Sequence, residues 1–135
     1  MSFNLDAKLH ADTHHICDLK LCRVLLMNEQ NYPWVILVPM KNGAVEITDL
    51  SQEDQHQLLA ETTKVMDVLK SLTDCTKLNV ANLGNVVSQL HVHVVARFET
   101  DAAWPAPIWG KADPVAYEET DATGMVAVLK ARLLG

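Results

Sequence analysis

Residues 89–97, Gln-Leu-His-Val-His-Val-Val-Ala-Arg, constrain this chain more than any other stretch. Apolar and polar side chains alternate with period two, and a strand sends successive side chains to opposite faces. Leu90, Val92, Val94 and Ala96 then share one apolar face. Gln89, His91, His93 and Arg97 share the other, with Val95 among them. The valine content suits a pleated, half-buried surface. A sheet is therefore required, with one face packed on a core and the other presenting two imidazoles that change charge near neutral pH.

Three readings of the His pair compete. The first is two hydrogen-bonded histidines with a purely structural role. The second is a metal site, since imidazole is the commonest metal ligand. Zinc needs at least a third protein ligand. No Cys pair lies nearby, and His10, His14, His15 and His56 form no spaced set, so no metal or other cofactor is expected. The third is nucleophilic and acid–base chemistry on an anion, which the rest of the chain favours. The net charge of −6 argues against binding to nucleic acid or to an anionic membrane surface. An anionic ligand would then need local side chains or backbone amides.

Taken in order, the first 13 residues are mixed and polar, with Leu5 and Leu9 able to seat a short helix. Residues 19–27 and 34–38 read as strands joined by a connection that Pro33 breaks, hence an antiparallel hairpin. Their continuous apolar runs predict burial on both faces. Residues 45–47 read as a short extended piece. A helix is expected from Ser51, with Ser51 and Asp54 resembling a capping box. Leu58, Leu59, Val65, Met66, Leu69 and Leu72 form its apolar stripe, and His56 faces solvent. Residues 78–83 read as a strand that a turn at Gly84-Asn85 joins to the His strand. Residues 104–110, Trp-Pro-Ala-Pro-Ile-Trp-Gly, form a stiff aromatic loop that covers either a core edge or a ligand. A last helix is expected from about Asp121, with Met125, Val128, Leu129 and Leu133 apolar.

At 135 residues the chain is one domain, long enough to bury a core. Cys17, Cys22 and Cys75 form no even framework, and the N-terminus shows no basic-then-apolar signal pattern. A cytoplasmic protein with reduced thiols is expected. The longest apolar run, residues 34–40, is too short to span a bilayer.

Residues 84–95, Gly-Asn-Val-Val-Ser-Gln-Leu-His-Val-His-Val-Val, resemble the signature of the histidine-triad (HIT) superfamily, His-φ-His-φ-His-φ-φ with φ apolar. The hairpin ending at Pro39, the Asp49-Leu50-Ser51 approach to a helix and Trp104-Pro105 fall where that family has comparable features, so the resemblance covers about residues 18–110. It is nearest to bacterial members with Asn-x-x-Tyr-Pro-Trp and Ala-Trp-Pro-x-Pro-x-Trp-Gly segments. The resemblance implies an α+β fold, with an antiparallel five-stranded half-barrel sheet, a packed helix and a C-terminal helix. It also implies a homodimer that takes a purine nucleotide or related phosphate ester. The middle His of the motif attacks the α-phosphate and forms a covalent nucleotidyl-histidine.

On this chain the implied nucleophile is His91, and His93 is the third His, assisting as donor or acid. A neutral imidazole, with a reference pKa of about 6.5, suits the nucleophilic role. Gln89 stands where the family's first His would be. It completes the implied catalytic set of His91, His93 and Gln89. Asn28, Asn82, Asn85, Trp34 and Trp104 are the implied ligand-binding residues. Trp34 stands where the family has a further His, five residues before Pro39, and the indole is expected to remove a polar partner of the motif and narrow the site. The implied function is a phosphoanhydride or phosphoramidate hydrolase or nucleotidyl transferase. The alternative is a nucleotide-binding module with little catalysis.

Overall fold

The apolar runs form strands buried on both faces, as their patterns predict. In a computed structural model describing residues 2–135, β1 (Thr13–Asp18), β2 (Cys22–Met27), β3 (Trp34–Pro39), β4 (Lys77–Asn82) and β5 (Val92–Arg97) make one sheet in the order β1-β2-β3-β5-β4. Every pairing is antiparallel. Every residue of β3 and β5 is buried. A short α1 (Ala7–Asp12) precedes β1, the long α2 (Gln52–Thr73) separates β3 from β4, and α3 (Glu119–Leu134) closes the chain. The expected α+β class and five-stranded antiparallel sheet are both present. Among the described residues, no helix is long and apolar enough to cross a membrane.

Alternation divides the interior into two cores, one on each side of the sheet. Val35, Leu37, Val92 and Val94 face α2 and α3, where they meet Leu58, Val65, Leu69, Leu129 and Leu133. Trp34, Ile36, Val38 and Val95 face the other way, onto Leu9, Tyr32, Ala103 and Ile108. Ser51 caps α2 by accepting from the Asp54 amide at 3.1 Å. Leu59, expected in the α2 stripe, is exposed, as is His56.

The N-terminal strands differ most from the sequence expectation. Residues 19–27 do not form one strand. A turn closes where the Leu19 amide donates to the Cys22 carbonyl at 2.8 Å. The buried Glu61 carboxylate fixes that turn by accepting from the Leu21 and Cys22 amides at 2.9 and 2.8 Å. The strand before it, β1, carries little apolar signal in Thr-His-His-Ile-Cys-Asp, and an irregularity between His15 and Cys17 breaks its alternation. Residues 45–47 are not a strand either. Asp49 accepts from the Val45 and Glu46 amides at 3.0 and 2.9 Å and coils Ile47–Asp49 into a 3-10 turn.

Candidate functional site

Strand β5 begins at Val92, three residues later than the pattern suggests, but the facing of its side chains holds through the irregular approach. Leu90 enters the helix-side core. His91 and His93 point to the opposite side and line a cavity of about 360 Å³, within the size range of small-ligand sites. Its floor is apolar, from Met27, Ile36 and Leu9. Its far wall is the 83–87 turn with Asn85, and the Trp34 and Trp109 indoles close it beside the histidines. Lys8 and Asp12 stand at its rim, paired to each other at 2.9 Å.

Each imidazole is held through one nitrogen. His91 Nδ1 lies 2.6 Å from the Gln89 carbonyl oxygen. A carbonyl only accepts, so Nδ1 carries the proton and donates, which leaves the Nε2 lone pair for a ligand. His93 Nδ1 lies 3.0 Å from Trp34 Nε1. An indole N–H only donates, so His93 Nδ1 accepts, and in the neutral ring the proton sits on Nε2. The two rings meet edge to face, with centroids 4.9 Å apart. Trp34 and Trp109 flank His93 at 5.6 and 5.3 Å. Burial, then the neighbouring His91, push His93 down to a pKa of about 4, so it is neutral at pH 7.

Of the expected site residues, the fold brings His91, His93, Trp34 and Asn85 together at the cavity. Trp34 does not remove a polar partner from the motif, because its indole N–H supplies one. The Gln89 carbonyl supports His91, but its side chain turns away to the N-terminal arm. There Gln89 Oε1 accepts from the Asp6 amide at 2.8 Å and Gln89 Nε2 donates to the Asn4 carbonyl at 2.9 Å.

Three further residues lie elsewhere. Asn28 Oδ1 accepts from the Tyr117 amide at 3.0 Å and anchors the segment before α3. Asn82 ends β4 opposite Val92 and lies outside the cavity lining. The Trp104 ring packs against the Arg97 guanidinium, 5.7 Å from its centroid, so it is Trp109 of that loop that reaches the cavity.

Lys8, Leu9 and Asp12 were not legible as site residues, because a helix of six residues leaves almost no periodic signal. They reach the cavity because Asn42 and Gln89 strap the preceding arm to the body. Asn42 Nδ2 donates to the Ser2 carbonyl, and the Asn4 amide donates to Asn42 Oδ1. Among the described residues, no three His, Cys, Asp or Glu side chains converge to hold a metal ion.

Residues 8–100 match the family described as HIT domain. A histidine triad protein of Bradyrhizobium japonicum superposes with a TM-score of 0.95 at 44% identity, covering 98% of this chain and 99% of its own. One from Marinobacter aquaeolei gives a TM-score of 0.96 at 44% identity, covering 99% and 98%. The diadenosine triphosphate hydrolase of Plasmodium falciparum shares the fold alone, at 15% identity and a TM-score of 0.63 over 96% of this chain and 79% of its own. No match to a protein of curated function was found.

Proposed function

The chain belongs to the histidine triad (HIT) family, and from that premise we propose that it binds a nucleotide and transfers its nucleotidyl group through His91. The single observation that carries this reading is the complementary pair of tautomers, with a free lone pair on His91 Nε2 beside a donor on His93 Nε2. His91 Nε2 attacks the α-phosphorus and the bond to the leaving group breaks. The resulting phospho-imidazolium keeps its Nδ1–H on the Gln89 carbonyl, which stabilises the charge. His93 Nε2–H donates to a phosphate oxygen. Water or another hydroxyl acceptor then attacks phosphorus and gives up its proton to solvent, and the electron pair of the P–N bond returns to Nε2. The apolar floor suits a base and the 83–87 turn suits the phosphates.

The test is intact-protein mass spectrometry after mixing with adenosine and guanosine phosphoramidates and dinucleoside polyphosphates, run beside His91→Ala. An acid-labile nucleotidyl adduct on the wild type, absent from the variant, is expected. A second reading, a binding module with little turnover, draws support from the Gln89 side chain, which is engaged with the arm and not with His91. Nucleotide binding with neither adduct nor turnover would establish it.

The chain is further proposed to be a homodimer. Strand β4 is a free edge of the sheet, Val80, Leu83 and Val86 are exposed on and beside it, and Pro105 and Pro107 of the aromatic loop adjoin it. Sedimentation as a monomer at micromolar concentration would contradict this. Cys17, Cys22 and Cys75 are unpaired, which fits a reducing, cytoplasmic setting.

A further inference from the structure

The hydrogen bond from Trp34 to His93 decides more than the orientation of a ring. Resting on the reading that His91 is the nucleophile, we infer that this bond fixes His93 as a neutral donor that cannot protonate a leaving group, so the site takes phosphoanhydrides and rejects phosphoramidates. A general acid must give up a proton and be left in a stable form. An imidazolium does this, but a neutral imidazole would be left as an imidazolate. To become an imidazolium, His93 would need a proton on Nδ1, and that nitrogen already accepts from Trp34 Nε1 at 3.0 Å. The indole cannot reverse the bond, because it has no acceptor. Protonation would set two N–H groups against each other inside a buried pocket.

The surroundings offer no rescue. His93 is 6% exposed. Its ring is flanked by Trp34, Trp109 and His91. Ile36 stands opposite it on β3 and Ala81 on β4. The charged groups of the cavity, Lys8 and Asp12, neutralise each other at its rim.

Leaving groups differ in what they need. When His91 Nε2 attacks a phosphoanhydride, the P–O bond breaks and its electron pair stays on a phosphate oxygen, which is stable as an anion at neutral pH. No proton has to arrive. When it attacks a phosphoramidate, the P–N bond breaks and the pair stays on nitrogen, which is far too basic to leave without a proton. General acid catalysis contributes about 10²- to 10⁴-fold to such a step. Without it, His93 Nε2–H still stabilises charge on the phosphate oxygens, which both substrates share. Trp34 is therefore a positioning residue that acts through His93 and sets substrate class.

The experiment compares kcat/KM for diadenosine triphosphate and adenosine 5′-phosphoramidate, with the guanosine counterparts, in wild type, Trp34→Phe and Trp34→His. A preference for the anhydride of about 10²-fold or more is expected in the wild type, narrowing by at least about tenfold when the indole donor is removed. ¹⁵N NMR of the wild type at pH 7 should show His93 as the Nε2–H tautomer, a readout that needs neither turnover nor a folded variant. Equal turnover of both substrates would overturn the inference and leave covalent catalysis by His91 standing. So would an unchanged ratio in a folded Trp34→Phe, or an Nδ1–H or doubly protonated His93. Turnover of neither substrate would remove the reading on which the inference rests.

Discussion

The two ends of the stretch 91–97, β5 and the residue before it, put polar side chains on the same side of the sheet and use them in opposite ways. At one end, His91 and His93 are buried at 5% and 6% exposure, and each engages one nitrogen and leaves the other open. At the other end, Arg97 is 2% exposed and almost nothing of it is left open. Its Nε and one terminal nitrogen pair with Asp101 at 2.8 and 3.0 Å, and it also donates to Asn79 Oδ1 and the Ala106 carbonyl at 2.8 Å. Tyr32 and Trp104 cover it. Asp101 in turn accepts from the Phe98, Ala103 and Trp104 amides. The difference separates chemistry from architecture. A buried polar group with an unused valence is available to a ligand, and one whose valences are filled holds the fold.

Substitutions at the two ends test that separation. His91→Ala should lower turnover by roughly 10⁶-fold, in line with loss of other covalent nucleophiles, while the urea midpoint moves little. Comparable activity in the variant would place the chemistry elsewhere. Arg97→Ala should do the reverse. It strips Asp101 of its partner inside the protein, and stability should fall by about 3–5 kcal/mol. The protein that remains folded should turn over as before. Loss of activity at unchanged stability would make Arg97 part of the site.

Acid should remove the contributions of the two ends to stability in different windows. His93 takes its proton only near pH 4 in the folded protein, against 6.5 in the open chain, so the unfolded state binds more protons between those values. Its contribution is complete above pH 6.5 and is lost as pH falls toward 4, about 3 kcal/mol in all. The Arg97 guanidinium holds the Asp101 carboxyl at about 2, against 3.8. That contribution is complete above pH 4 and is lost between there and pH 2, about 2 kcal/mol. His93→Gln should remove the upper step from a stability–pH curve and Asp101→Asn the lower one. A single step surviving both changes would show that neither group controls it.

The smallest effect belongs at the junction between site and fold. Gln89→Ala removes two hydrogen bonds to a half-buried arm and should cost about 1 kcal/mol. KM should rise more than kcat falls, because Lys8, Leu9 and Asp12 lose their anchor while the Gln89 carbonyl keeps orienting His91. A fall in kcat alone would return the Gln89 side chain to the chemistry.

The parts of this contrast that could be read from sequence are those with a period. The alternation in 89–97 and the apolar runs of β2 and β3 gave the strands, their facing and the juxtaposition of His91 with His93. The stripe in α2 gave the helix. What could not be read depends on partners distant along the chain. Nothing near Arg97 announces that Asn79 will meet it, and although the resemblance puts Trp34 beside the motif, nothing in the sequence announces that its indole will donate to His93, 59 residues away. Asn28, expected at a ligand from its place in a motif, accepts through Oδ1 from the Tyr117 amide, 89 residues on. Strand β1 escaped because its one strong apolar pair, Ile16 and Cys17, falls on consecutive residues beside a register shift.

Gln89 also carries an evolutionary consequence. Its carbonyl serves the nucleophile while its amide group latches the arm that builds the cavity rim. Replacing it with His would not simply restore a triad, because an imidazole carries Nδ1 closer to the backbone than the terminal amide atoms that accept from Asp6 and donate to Asn4. The arm would then hang on Asn42, through its bonds to Ser2 and Asn4. Gln89 and the segment from Asn4 to Asp6 are thus coupled, so a change at either alters what the other can hold.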